Sequence, residues 1–126
     1  MTTEEILRYN KRCADLLGLK ISIKPEDGYD YGTWYKPCDI EDEVIPSPVL
    51  YHSDWNWIME VVEAIEKLKD EQFYTWRVDI YLESCQIMNS HNFEGNLIHN
   101  QTSKKEATVQ AINQFLIWYE KSISNS

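Results

Sequence analysis

Apolar positions recur at helical spacing in three stretches of the chain and alternate with polar ones between them, and this pattern predicts most of its elements. In residues 3–17, Ile6, Tyr9, Cys13, Leu16 and Leu17 fall on one helical face. Thr2 and Glu5 stand at capping-box spacing, where each side chain serves a free backbone N–H, and Gly18 stands where a left-handed C-terminal cap is wanted. Leu19, Ile21 and Ile23 then alternate with Lys20, Ser22 and Lys24, the period of a short strand. A second helix is expected from Ser53, a good N-cap, with Asp54 favoured by the helix dipole. Its stripe is Trp55, Ile58, Met59, Val62 and Ile65, widened by Trp57, Val61, Ala64 and Leu68; Glu60, Glu63 and Glu66 lie towards water, and it ends near Asp70.

In residues 73–82, Tyr74, Trp76, Val78, Ile80 and Leu82 alternate with Phe73, Thr75, Arg77, Asp79 and Tyr81. One face is apolar and the other mixed, as in a sheet covered by helices on one side. Glu83-Ser84 reads as a tight turn, Cys85 to Met88 as the antiparallel return, Asn89 to Asn96 as a second turn, and Leu97 to Asn100 as a third short strand. The last helix starts at Ser103, paired with Glu106 in another capping box. Its core stripe is Ala107, Ala111, Ile112, Phe115, Trp118 and Tyr119, and Ser122 to Ser126 should fray. The expected fold is α+β, a small antiparallel sheet packed with three helices in a sandwich-like arrangement, as one domain over residues 1–126. Trp55, Ile58, Val62, Val78, Ile80, Ile112 and Phe115 should share its core.

Residues 24–50 differ in kind. They hold all four prolines, Pro25, Pro37, Pro46 and Pro48, and show no helical or strand period, so a long surface loop is expected. Such loops are uncommon in compact domains and are often functional. The stretch carries seven acidic side chains against two basic ones, more than half of the chain's net charge of −9. Within it, Tyr29, Tyr31, Trp34 and Tyr35 fall in seven residues, followed by Asp39, Glu41, Asp42 and Glu43. Rings supply desolvated contact area and charges steer encounter, so these eight are the candidate partner-binding residues. The competing reading is that Trp34 and Tyr35 staple the loop to the core.

The acidic balance repels phosphate backbones and disfavours direct nucleic-acid binding, while suiting a basic partner. The plainer reading is that acidity keeps a small protein soluble. No apolar run approaches the ~20 residues that span a bilayer, and Met1 to Ile6 lacks the apolar run of a signal peptide. Three cysteines, Cys13, Cys38 and Cys85, form neither a disulfide framework nor a zinc knuckle; reduced thiols in a cytoplasm are the simple account.

Chemistry is sparse. His52, His91 and His99 lack the spacing of a helical metal site; convergence of Cys85, His91 and His99 across the hairpin is the alternative, with surface loop histidines the plainer reading. The four glycines are scattered singly, so no phosphate-cradling loop exists. Cys38 is the one candidate for a reactive thiol, since Cys13 and Cys85 fall on predicted buried positions. No catalytic residue, metal or cofactor is assigned. A phosphate-bearing ligand would depend on Arg77 on the mixed sheet face and Lys104 or Lys105 at the last helix start.

The run from His52 through Ser53-Asp54-Trp55-Asn56-Trp57 to Glu66 resembles small phage and prophage proteins, mostly of Bacteroidetes, related to the phage ABA-sandwich domain family. Those proteins share an order this chain follows: a short N-terminal helix containing an Asn, a Tyr/Trp-rich stretch, a Trp-x-Trp helix start, a strand, and a last helix entered by Lys104-Lys105-Glu106-Ala107 and ending in Phe115 to Tyr119. The resemblance covers most of the chain and is specific in the Trp helix. It implies an α/β/α sandwich, a mobile-element source and a bacterial host cytoplasm, and it carries no catalytic residues. By analogy, the expected function is a non-enzymatic inhibitor of a basic, nucleic-acid-handling host defence protein, in the manner of anti-CRISPR proteins acting on a CRISPR effector. The alternatives are a module sequestering a nucleotide or signal, and a phage accessory protein without a defence role.

Overall fold

The computed structural model describes residues 1–19, 31–37, 44–69, 73–89, 95–98 and 103–124. Its elements run α1 (Thr3–Leu17), β1 (Thr33–Pro37), β2 (Val44–Pro48), α2 (Trp55–Lys67), β3 (Trp76–Tyr81), β4 (Ser84–Asn89), β5 (Gly95–Ile98) and α3 (Lys104–Ser124). The class is α+β, with β1 and β2 forming one antiparallel sheet and β3-β4-β5 another. The chain divides into two compact units, Met1–Asp54 and Trp55–Ser126.

In the first unit, α1 opens on the expected capping box: the Thr2 hydroxyl accepts from the Glu5 N–H at 3.2 Å, and the Glu5 carboxylate reaches back to the Thr2 backbone. It closes in a Schellman turn, with Gly18 N–H donating to Asp15 O and Leu19 N–H to Ala14 O. Gly18 sits at φ +75° with open space where a Cβ would stand. Gly18→Ala should therefore cost only the left-handed backbone penalty, about 1–2 kcal/mol, read as a lower urea midpoint with unchanged slope. The helix buries Tyr9, Asn10, Cys13 and Ala14, while Ile6, Leu16 and Leu17 are half-buried. Of the strand expected over 19–23, Leu19 joins the helix cap and the remainder lies outside the described residues.

The loop expected over 24–50 is corrected by the β1–β2 ribbon inside it. Its register explains how prolines fit a ladder. Thr33 pairs with Pro48, Tyr35 with Pro46 and Pro37 with Val44, so all three prolines fall in one alternate set of pairs. The other set, Trp34 with Ser47 and Lys36 with Ile45, continues outward to Val49, whose N–H donates to Gly32 O at 3.3 Å. That set carries the ladder bonds; the proline set turns its nitrogens away from the partner strand, where a missing N–H costs no bond.

In the second unit, α2 starts one residue later than expected, so Asp54 and not Ser53 takes the N-cap position, and it ends at Lys67 instead of near Asp70. Glu60, Glu63 and Glu66 are exposed, as expected of a solvated flank. β3 is shorter than the alternation predicted. Phe73 at φ 68° and Leu82 at φ 50° leave the extended region and bracket it, 79% and 78% exposed. The hairpin turn is consequently Leu82-Glu83, with Ser84 already in β4, and β5 begins at Gly95 instead of Leu97.

The register puts Trp76, Val78, Ile80, Cys85, Ile87 and Asn89 on one face of this sheet and Arg77, Asp79 and Met88 on the other. α2 runs against β3, α3 runs against β4 and β5, and the two helices touch. Ile58, Val61, Val62, Ile65, Ile87, Ala111, Ile112, Phe115 and Leu116 are buried. All seven residues expected to share a core belong to this unit, with Trp55, Val78 and Ile80 half-buried. Trp118, expected in the core stripe, is 48% exposed; its ring instead lies edge-on to Trp76, centroids 5.3 Å apart. Phe115 meets Trp76 at 5.0 Å and stacks on Tyr119 at 5.8 Å. α3 stays helical through Ser124, past the fraying expected from Ser122.

Candidate functional site

The ribbon occupies the segment singled out for partner binding, and α1 holds its root. Asn10 is fully buried on α1, and its amide nitrogen donates to Tyr31 O at 2.8 Å. The same nitrogen lies 3.5 Å from Val49 O and 3.2 Å from His52 Nδ1. Tyr31 and Val49 flank the open end of the ribbon, one on each leg, so one side chain ties both legs to the helix. One turn position away, the Tyr9 hydroxyl donates to Tyr51 O at 2.9 Å. Buried irregular backbone must find donors for its carbonyls, and here two α1 side chains supply them.

This network fixes the orientation of Asn10. Turning its amide over would set Oδ1 against two carbonyl oxygens. It also fixes the His52 tautomer, because a ring nitrogen that accepts from Asn10 carries no proton, which leaves the proton on Nε2. The Tyr31 ring lies 4.7 Å from the His52 ring at a 55° tilt. Asn10 Oδ1 is buried with no hydrogen-bond partner among the described residues.

Burial lowers the His52 pKa below its usual 6.5, so the folded protein binds that proton less readily than the unfolded chain. The contribution of His52 to stability is intact above about pH 6.5 and declines as pH falls below it, until the folded imidazole titrates as well. Thermal melts should show the first unit losing stability between pH 7 and pH 5, and His52→Gln should flatten that loss.

Of the eight candidate partner-binding residues, Tyr31 is on the root and 37% exposed, with its carbonyl engaged by Asn10. Trp34 and Tyr35 lie in β1. Tyr29, Asp39, Glu41, Asp42 and Glu43 lie outside the described residues, the last four in the connection between β1 and β2. Cys38, His91 and His99 are also outside them. Asn10 and His52 were not read as partners from sequence. The available signal was position: Asn10 sits four residues after Ile6 and three before Cys13, a polar side chain on an apolar stripe.

Arg77 is engaged on its own sheet face, its Nε 3.1 Å from Asp79 Oδ2 and an Nη donating to Met88 Sδ at 3.0 Å. A phosphate would have to compete with that carboxylate. Cys13 and Cys85 are buried free thiols; burial pushes Cys13 far up and Cys85 up to about 11, so both are protonated at neutral pH. Among the described residues no group of three His, Cys, Asp or Glu side chains could hold a metal ion, and no helix is long and apolar enough to cross a membrane. Compared with known proteins, the chain matches no family model, no curated protein and no solved structure.

Proposed function

We propose that this is a non-enzymatic binding protein that presents the β1–β2 ribbon, with its acidic connection, to a basic nucleic-acid-handling protein and blocks it. The observation that carries the reading is the ribbon itself. Within the most aromatic and most acidic segment of the chain, Thr33–Pro37 and Val44–Pro48 pair as antiparallel strands, and one buried amide ties both of them to a helix. A rooted ribbon loses less conformational entropy on binding than a free loop would. Its acidic connection suits the positively charged channel in which a CRISPR effector holds its RNA. The resemblance of residues 52–66 to small phage proteins agrees with a mobile-element source and a role in the host cytoplasm. The inhibitor acts in stoichiometric amounts, and repeated turnover of any nucleotide, peptide or RNA by the pure protein would refute this reading.

Charges and rings should separate kinetically. Changing Asp39, Glu41, Asp42 and Glu43 together to Ser should slow association with the partner and flatten its salt dependence, because exposed charges act over about 8–10 Å at ordinary ionic strength. Trp34→Ala should speed dissociation, with a loss on the order of 2 kcal/mol if the ring is an anchor. Surface plasmon resonance across a salt series reads both. An unchanged rate and salt slope in the folded Ser variant would reduce the acidic connection to a solubilising surface.

A further inference from the structure

The Asn10 amide nitrogen has two hydrogens and three acceptors around it, Tyr31 O, Val49 O and His52 Nδ1. Only the last of these changes character within the physiological pH range. We propose that Asn10 and His52 form a proton-operated latch at the root of the β1–β2 ribbon: neutral His52 lets the Asn10 nitrogen hold both legs, and a protonated His52 sets a second donor against that nitrogen and releases them.

Protonation turns Nδ1 into an N–H, and two donors then face each other at 3.2 Å. The amide can relieve this by turning over, since its buried Oδ1 has no partner among the described residues to hold it in place. Turned over, Oδ1 accepts from the imidazolium, but it also meets the carbonyl oxygens of Tyr31 and Val49, which lose their donor. The turned amide frees both legs. The latch thus has two arrangements, each satisfying one side of Asn10, and the proton on His52 selects between them.

Among the described residues, the Asn10 amide from α1 and the Tyr31 ring from the ribbon's root face the ring. Burial is the cause of the His52 shift, with no charged side chain among the described residues contributing to it. The site therefore responds to pH through hydrogen-bond polarity rather than through a salt bridge. The effect belongs to the fold and does not depend on what the ribbon binds.

Residue-resolved hydrogen exchange on the intact protein, corrected for intrinsic rates and run alongside an NMR titration of His52, tests the latch. Protection at Val49 and at the ladder amides of Trp34, Lys36, Ile45 and Ser47 should fall by about tenfold, the equivalent of one ordinary hydrogen bond. The midpoint should coincide with that of His52, while protection along α1 from Tyr9 to Cys13 holds. In His52→Gln, whose carbonyl oxygen accepts without titrating, the ribbon's protection should be flat across the same range. The proposal is overturned if ribbon protection stays constant as His52 titrates, if it falls at another midpoint, or if the Gln variant shows the same fall. The wild-type titration decides the matter even if that variant does not fold.

Discussion

Phe115→Ala is expected to cost about 3–5 kcal/mol, the range for emptying a buried aromatic position. Phe115 is buried, and its ring meets Trp76, Trp118 and Tyr119, so its removal takes a buried ring out of contact with three others. Trp118→Ala removes a larger side chain from the same cluster, yet Trp118 is half-exposed and should cost only about 1–2 kcal/mol, the worth of ring contacts beyond partial burial. The ordering runs against side-chain size and follows burial. Urea unfolding monitored by tryptophan fluorescence reads it, because Trp55, Trp57, Trp76 and Trp118 all belong to the second unit. Equal losses for the two variants would contradict the packing described.

Asn10→Leu is the second large effect. Leucine keeps the branched shape of asparagine and is somewhat larger, so no cavity follows, but Tyr31 O and Val49 O lose their donor at a buried side chain. At about 1–3 kcal/mol for each unsatisfied group, a loss of about 3 kcal/mol is expected. Removing the unpartnered Oδ1 offsets part of this, which keeps the figure below the full sum. Far-UV circular dichroism in urea gives the loss, and hydrogen exchange should place it first at the ribbon. A loss below about 0.5 kcal/mol, the scatter of ordinary surface changes, would mean that the ribbon's root does not depend on Asn10.

The helices were legible because their signals are local. Thr2, Glu5 and Gly18 mark the ends of α1, and the Trp55 to Ile65 stripe marks α2. The boundaries of β3 were not legible, since Phe73 and Leu82 continue the alternation of side chains while their backbones turn left-handed. Nothing in an alternating pattern reports φ. The ribbon was missed for another reason: Pro37, Pro46 and Pro48 read as strand breakers, and only the pairing shows that they share the register set with outward nitrogens. The segment proposed to bind was singled out by its rings and charges, whereas the side chains that hold it were not, because Asn10 and His52 are far apart in sequence and meet only through the fold.

On the proposed function, the rooted ribbon, and not some other surface, engages a basic partner. Immobilised wild-type protein should be challenged with lysate of a bacterial host, beside a variant carrying Trp34→Ala and Tyr35→Ala with Asp39, Glu41, Asp42 and Glu43 changed to Ser, and the retained proteins identified by mass spectrometry. The wild type should hold a basic nucleic-acid-binding protein in salt-sensitive fashion and the variant should lose it, while the variant's circular dichroism and melting temperature match the wild type. Retention of the same partner by the folded variant, or a partner that is acidic and indifferent to salt, would contradict it.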